Sequence, residues 1–246
     1  MLRPVTIENF INGGCEDLAE ATRATYRSRL TQMAKRLLPY EDRVFERLPL
    51  SSANNVPVPF SGVEVERLRF WAAHQKTEYR RLNAHLLLAL GLGAGLSTQE
   101  IIDVTTGDIA VDHEGVLVFV HGARTRAVPV LAVWEEILAL VAQTAMRTDI
   151  HVFAARRHSP SNPNLVNAFL GDALTPPVHL TAQRMRSTWI VGHLASGVPA
   201  PLLARAAGVV RVDSLARYLQ FVPEPTHEDG RAALRGHGCV SGEVSQ

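Results

Sequence analysis

The sequence predicts a mainly α protein with one small β-hairpin or sheet, an α+β arrangement dominated by helices. Three observations lead there. Apolar residues recur at helical spacing in Ala21 to Leu38 and through Tyr79 to Gly95. Gly115 to Val120 joins β-branching to strand length, and a turn and a return segment follow it. Gln183 to Tyr218 is divided by glycine and proline into three short, closely spaced helices.

A chain of 246 residues, 46% hydrophobic, allows one large domain or one domain plus a small one, with a full core. No uninterrupted apolar run reaches about 18 residues, so no membrane span and no membrane partner are expected. The start, MLRPVTIENF, lacks the charged-then-apolar layout of a signal peptide, which makes the expected location cytoplasmic. Cys15 and Cys239 lie near opposite ends, which argues against a disulfide framework or a zinc site.

Residues 1–50 read as a short helical segment. Ala21 to Leu38 puts Tyr26, Leu30, Met33, Leu37 and Leu38 on one side, with Arg23, Arg27, Arg29, Lys35 and Arg36 mostly off it. Residues 51–61 are rich in Ser, Asn and Pro and read as an extended linker. Residues 62–222 form the main domain and 223–246 a tail, in which Arg231 to Leu234 is long enough for one helical turn.

The main domain opens on a capping box, Ser61 with Glu64, before a helix carrying Val65, Leu68 and Trp71. Tyr79 to Gly95 is apolar nearly all round and belongs in the core, where His85 reads as a core histidine rather than a ligand. Ser97 and Glu100 make a second capping box for Thr98 to Val104. Gly122 to Thr125 turns the hairpin, and Arg126 to Val130 returns. Leu131 to Met146 is helical, with Trp134, Ile137, Leu138 and Val141 as its core stripe. Arg147 to Pro177 is irregular, holds the basic group Arg156, Arg157 and His158, and allows a helix over Asn164 to Leu170. In the last third, Met185, Trp189 and Ile190 form an apolar stripe before Gly197. Pro199 and Pro201 open a helix that stops at Gly208, and Asp213 or Ser214 caps a third carrying Leu215, Tyr218 and Leu219.

Taken together, these residues resemble the catalytic domain of the tyrosine recombinase (phage integrase) family. The family's C-terminal half reads H-x-L-R-H, a helix, Ala-Gly-Val, a helix ending L-G-H, and a helix bearing a nucleophilic tyrosine. Ser196-Gly197-Val198 and Ala207-Gly208-Val209 match the two anchors without a gap. That register puts Arg186 on the second family arginine and Tyr218 on the nucleophile, with Gln183, Ser187 and Val209 where the family has histidines. Gly95 to Ile101 matches the family's G-L-R-x-S-E-L, but Ser97 stands at its arginine. Aligned on Val128-Pro129, the hairpin puts Arg124 at the family's lysine and Arg126 on the arginine that follows. Thr22, Tyr26 and Leu30 fit a spacing common in the family's N-terminal core-binding domain, although 1–50 is short for a complete one. The resemblance covers roughly residues 60 to 222.

The implied fold is that of the DNA breaking-rejoining catalytic domains. The implied chemistry is attack of a tyrosine on a DNA phosphate to give a 3′-phosphotyrosyl link, with no metal, ATP or other cofactor. Two arginines, a lysine and histidines stabilise the transition state and move protons. Of six such positions this chain keeps Arg186 and Tyr218; the others read Ser97, Arg124, Gln183 and Val209. A serine hydroxyl supplies neither the charge nor the fork of a guanidinium, and an arginine is a poor proton donor.

The net charge is only +1, yet Val120 to Gln220 carries ten Arg against five acidic residues. A locally basic face of that kind can hold duplex DNA. The expectation is a DNA-binding protein of recombination or integration, catalytically impaired, with Tyr218, Arg186 and Arg124 at its site. Arg124, Arg126, Arg156, Arg157, Arg184 and Arg186 are its candidate DNA contacts. It would occupy a recombination site, regulate a partner recombinase, self-associate, or persist as a remnant of a mobile element. Two alternatives stay open: a divergent active recombinase using Tyr218, and a non-DNA helical interaction protein on the same scaffold.

Overall fold

The computed structural model describes residues 6–7, 10–11, 15, 18–37, 56–122, 124–157, 162–224 and 226–235. The chain divides into two units, Met1–Asn55 and Val56–Gln246. The expected linker residues 51–55, His158, Cys239 and the tail from 236 onward lie outside the described residues.

In the first unit, helix α1 spans Glu20–Leu37. It packs through Leu30 and Ala34, one turn apart on the same face, onto Ile7, Ile11 and Cys15. The buried stripe therefore differs from the expected one. Tyr26 and Met33 are 43% and 55% exposed, and the packed side is the one that carries Leu30 and Ala34.

The second unit begins in its core. Val56 and Phe60, read from sequence as linker, are buried, and the Phe60 N–H donates to Thr188 Oγ1 at 2.8 Å. Helix α2, Gly62–Ala73, opens on the expected box: Ser61 N–H donates to Glu64 Oε2 at 2.8 Å and Glu64 N–H to Ser61 Oγ at 3.3 Å. Helix α3, Glu78–Leu88, is capped by Thr77 and then widens into a π turn, Ala89–Gly93. The sequence predicted one regular helix here. Its glycines sit against close neighbours: a Cβ on Gly91 would lie 2.5 Å from the Met185 side chain, and one on Gly93 would lie 2.7 Å from Trp134 Cβ. Leu86 to Leu90 are all buried, as their apolar run requires.

Helix α4, Thr98–Asp103, leads to a three-stranded antiparallel sheet: β1 Ile109–Asp112, β2 Gly115–Val120 and β3 Arg126–Pro129, in that spatial order. The register sets Ile109 opposite Val118 and Val118 opposite Val128. Alternate residues Val116, Val118 and Val120 of β2 face the core. Strand β1 was not legible beforehand, because its four residues show one buried position and depend on pairing with β2.

The segment predicted as one helix from Leu131 is a 3-10 turn, Ala132–Trp134, followed by α5, Glu135–Thr144, which packs on the sheet. Then come α6, Leu165–Asp172, α7, Ala182–Ala195, and α8, Ala200–Ala206. Gly197 and Gly208 end α7 and α8 with φ of +74° and +64°, the left-handed conformation glycine tolerates. The third predicted helix is a 3-10 helix, Val212–Phe221, and neither Asp213 nor Ser214 caps it. Asp213 instead holds the guanidinium of Arg211, the cap residue, at 2.7 Å. Helix α9 spans His227–Leu234, longer than the single turn expected. Among the described residues no helix is long and apolar enough to cross a membrane.

Candidate functional site

The site is built where α7 crosses the end of the π turn. Met185 and Trp189 of α7, one turn apart, rest on Gly91 and Gly95. Gly95 has φ +60°, and a Cβ there would lie 2.4 Å from the Trp189 ring. This close approach brings Arg186 against the chain it must reach. Its Nη1 donates to Gly95 O at 2.6 Å and its Nη2 to Ala207 O.

Ala207 belongs to a wider arrangement. The last carbonyls of a helix have no partner within it and carry partial negative charge. At the end of α8, three successive carbonyls each accept from a different arginine. Arg126 Nε donates to Ala206 O at 2.7 Å, Arg186 to Ala207 O, and Arg124 Nη1 to Gly208 O at 2.6 Å. The arginines come from β3, α7 and the hairpin turn, so one helix end ties three elements together. Gly208 lets them in: a Cβ there would lie 2.8 Å from Arg126 Cζ.

One carboxylate balances this cluster. Glu100, held by the Ser97 cap, accepts the Ser97 N–H at 2.8 Å through Oε2 and Arg126 Nη1 at 2.7 Å through Oε1. Its Oε2 is also 4.0 Å from Arg186 Nη1. All three side chains are largely enclosed, with 5% exposure for Arg126, 16% for Arg186 and 20% for Glu100. Burial alone would raise the Glu100 pKa; the Arg126 hydrogen bond and the Ser97 N–H outweigh it and hold it below the usual carboxylate range. Burial lowers the pKa of Arg186. Glu100 opposes this, Arg126 adds to it, Tyr218 opposes it and Arg124 adds to it. Three guanidinium groups gather at this helix end and one carboxylate pairs with two of them, so the neighbourhood keeps excess positive charge.

Tyr218 is therefore within electrostatic reach of Arg186, on the 3-10 helix that follows α8. It is buried, with the Arg217 guanidinium 5.3 Å from its ring centroid. The remaining positions of the register carry no charge. Ser97 is half-buried as the α4 cap. Gln183 is exposed on α7, and its carbonyl accepts Ser187 Oγ at 3.0 Å. Val209 is half-buried, its N–H donating to Ala204 O at 2.9 Å.

Three candidate arginines lie elsewhere. Arg184 is engaged inside the fold: Nε donates to Val58 O at 2.8 Å, Nη2 pairs with Glu64 Oε1 at 2.7 Å, and the guanidinium lies 4.0 Å over Phe60. It fastens the Val56–Phe60 stretch to α7, and a guanidinium so committed has little left for a phosphate. Arg156 is exposed and lies 4.8 Å over the Tyr79 ring. Arg157 is half-buried; the charge of Asp103 acts on it, and its own charge, after burial, helps lower the pKa of His151. The sequence showed Glu100 as half of a capping box but gave no sign that its other oxygen holds Arg126. Among the described residues no group of three or more His, Cys, Asp or Glu is placed to hold a metal ion.

The sequence matches no family model and no curated protein. Solved structures do match it. XerH site-specific recombinase, bound to its palindromic difH substrate in a post-cleavage complex, superposes with a TM-score of 0.66 at 15% identity, over 95% of this chain and 72% of that one. XerA recombinase gives 0.52 at 17% identity over 96% and 83%. The catalytic domain of bacteriophage HP1 integrase gives 0.50 at 14% identity over 72% and 94%. Identities this low establish a likeness of fold: a mostly helical domain with a small three-stranded antiparallel sheet, as in the tyrosine recombinase catalytic domain.

Proposed function

We propose that this protein binds duplex DNA through the arginine cluster at the end of α8 and is impaired in cleaving it. The observation that carries this reading is the convergence of Arg124, Arg126 and Arg186 on the successive carbonyls at the end of α8, with Glu100 paired to two of them and Tyr218 within electrostatic reach of Arg186. Excess guanidinium charge suits a phosphodiester. Solved neighbours of the same fold hold DNA: XerH is bound to difH before and after cleavage. In this role the chain occupies a recombination site or modulates a partner recombinase, by itself or self-associated. The 62–222 segment carries the DNA-handling domain and 1–50 an accessory helical segment.

Impaired cleavage follows from what surrounds Tyr218. A tyrosine attacking phosphate needs oxyanion donors and a proton donor for the leaving oxygen. Ser97, Gln183 and Val209 supply no cation, and an arginine in place of the family's lysine is by its chemistry a poor proton donor. Arg186 already donates from both terminal nitrogens to Gly95 O and Ala207 O, which leaves less of its fork for a phosphate. Each missing oxyanion donor typically lowers the rate by about 10²–10³, and the losses do not simply add.

Fluorescence anisotropy with a labelled duplex tests the binding. Affinity is expected to fall steeply with salt, by roughly 0.9 in log K per log unit of salt for each phosphate neutralised. Arg124→Ala should flatten that slope by about one phosphate. Salt-independent or absent binding at low ionic strength would remove this function. A suicide DNA substrate, which traps any phosphotyrosyl link, is expected to give no covalent complex. The reach of Arg186 to Tyr218 favours one second reading, a slow recombinase using Tyr218. A trapped complex that vanishes in Tyr218→Phe would establish that reading instead.

A further inference from the structure

A hollow of about 200 Å³ lies beside the cluster, lined by Arg124, Thr125, Arg126, Arg205, Gly208, Val209 and Val210. Its charged lining is entirely arginine, and neither Arg186 nor Tyr218 lines it. Arg126 shows how incomplete it is. That side chain is only 5% exposed; Nε and Nη1 are engaged with Ala206 O, Glu100 and Arg124 O, while Nη2 is buried with no partner. A charged N–H out of water normally has an acceptor, so the fold leaves the Arg126 guanidinium incompletely satisfied at the wall of the hollow. Across from it, Arg205 is exposed, and its guanidinium makes no hydrogen bond or ion pair among the described residues. Arg124 uses one nitrogen on Gly208 O.

We infer that this hollow is a phosphate site distinct from the Arg186–Tyr218 pair, with Arg205 its determining residue and a DNA backbone phosphodiester its occupant. The choice of DNA as the source rests on the DNA-binding reading above; the oxyanion chemistry rests on the all-arginine charged lining of the hollow and on the exposed, unengaged Arg205. Arg205 sits on the exposed side of α8, where its loss leaves the core intact. It acts on the ligand directly, whereas Arg126 also holds Glu100 and α8 in place.

The test uses the full chain and two probes. Inorganic phosphate is titrated against chloride at fixed ionic strength and followed by ³¹P line width; a labelled duplex is followed by anisotropy. Wild type should bind inorganic phosphate saturably, and Arg205→Gln should weaken it by roughly tenfold, the loss of about one charge-assisted hydrogen bond. Duplex affinity should fall several-fold in Arg205→Gln, with a salt slope shallower by about one, and Arg205→Lys should recover much of both. Unchanged circular dichroism separates these effects from misfolding. Phosphate binding that is not saturable, or equal in wild type and Arg205→Gln, overturns the site, even where duplex binding persists and the DNA-binding function stands. Arg205-dependent phosphate binding without any duplex binding retains the site, makes free phosphate its source and removes the DNA-binding function.

Discussion

Glu100→Ala is expected to lower folding stability by about 3–5 kcal/mol, the usual loss when one partner of an enclosed ion pair is removed. Glu100 answers two guanidinium groups, Arg126 at 2.7 Å and Arg186 at 4.0 Å, both largely out of water. Without it, Arg126 and Arg186 face each other and Arg124 with no counter-charge. Only backbone carbonyls, at the end of α8, at Gly95 and at Arg124, remain to hold them. The sign of the pH effect follows from the depressed pKa of Glu100 against its ordinary value of 4.5. A carboxyl with a lowered folded pKa stabilises the fold fully above its unfolded pKa. That contribution is lost as pH falls from about 4.5 through the lower folded value. Urea melts at several pH values should therefore show wild type and Glu100→Gln converging in acid and separating at neutral pH. Parallel curves throughout would mean that Glu100 is not charged and paired as described.

Gly95→Ala should cost about 2–5 kcal/mol. Of this, about 1–2 kcal/mol is the left-handed backbone, φ +60°, in a residue with a Cβ. A further 1–3 kcal/mol, roughly, is the clash with Trp189, whose ring would lie 2.4 Å from the new atom. The two parts separate in a double-mutant cycle. In a Trp189→Ala background the steric part should disappear and the backbone part remain. Gly95 O also receives Arg186 Nη1, so the same change should shift that arginine and weaken duplex binding. A thermal melt indistinguishable from wild type would show that the crossing of α7 over the π turn is looser than described.

The sequence carried more of the scaffold than of the site. Ser61 with Glu64 and Ser97 with Glu100 were readable as caps because both halves of each box lie within one turn. Gly197 and Gly208 were readable as helix ends for the same reason. Arg186 and Tyr218, thirty-two residues apart, lie within electrostatic reach of each other in the fold. Strand β1 was not readable, because its pairing partner rather than its own composition makes it a strand. Nor was the π turn, where glycines that locally permit an ordinary helix are set by Met185 and Trp134 from far along the chain.

The arginines mark where local reading stops. Six of them looked alike as candidate phosphate ligands. The fold sends Arg184 to Glu64 and Phe60, Arg157 to the neighbourhood of Asp103 and His151, and Arg124, Arg126 and Arg186 to the end of α8. By itself, then, the sequence determined most of the helices, the Ser61 and Ser97 caps, the hairpin and the order in which the cationic side chains arrive. Only the tertiary structure decided what each guanidinium faces, and that Glu100 stands among them. Caps and turns draw on neighbours a few residues away. The partner of a long charged side chain is chosen by packing between segments distant in sequence, and in a low-dielectric interior that choice sets its energy.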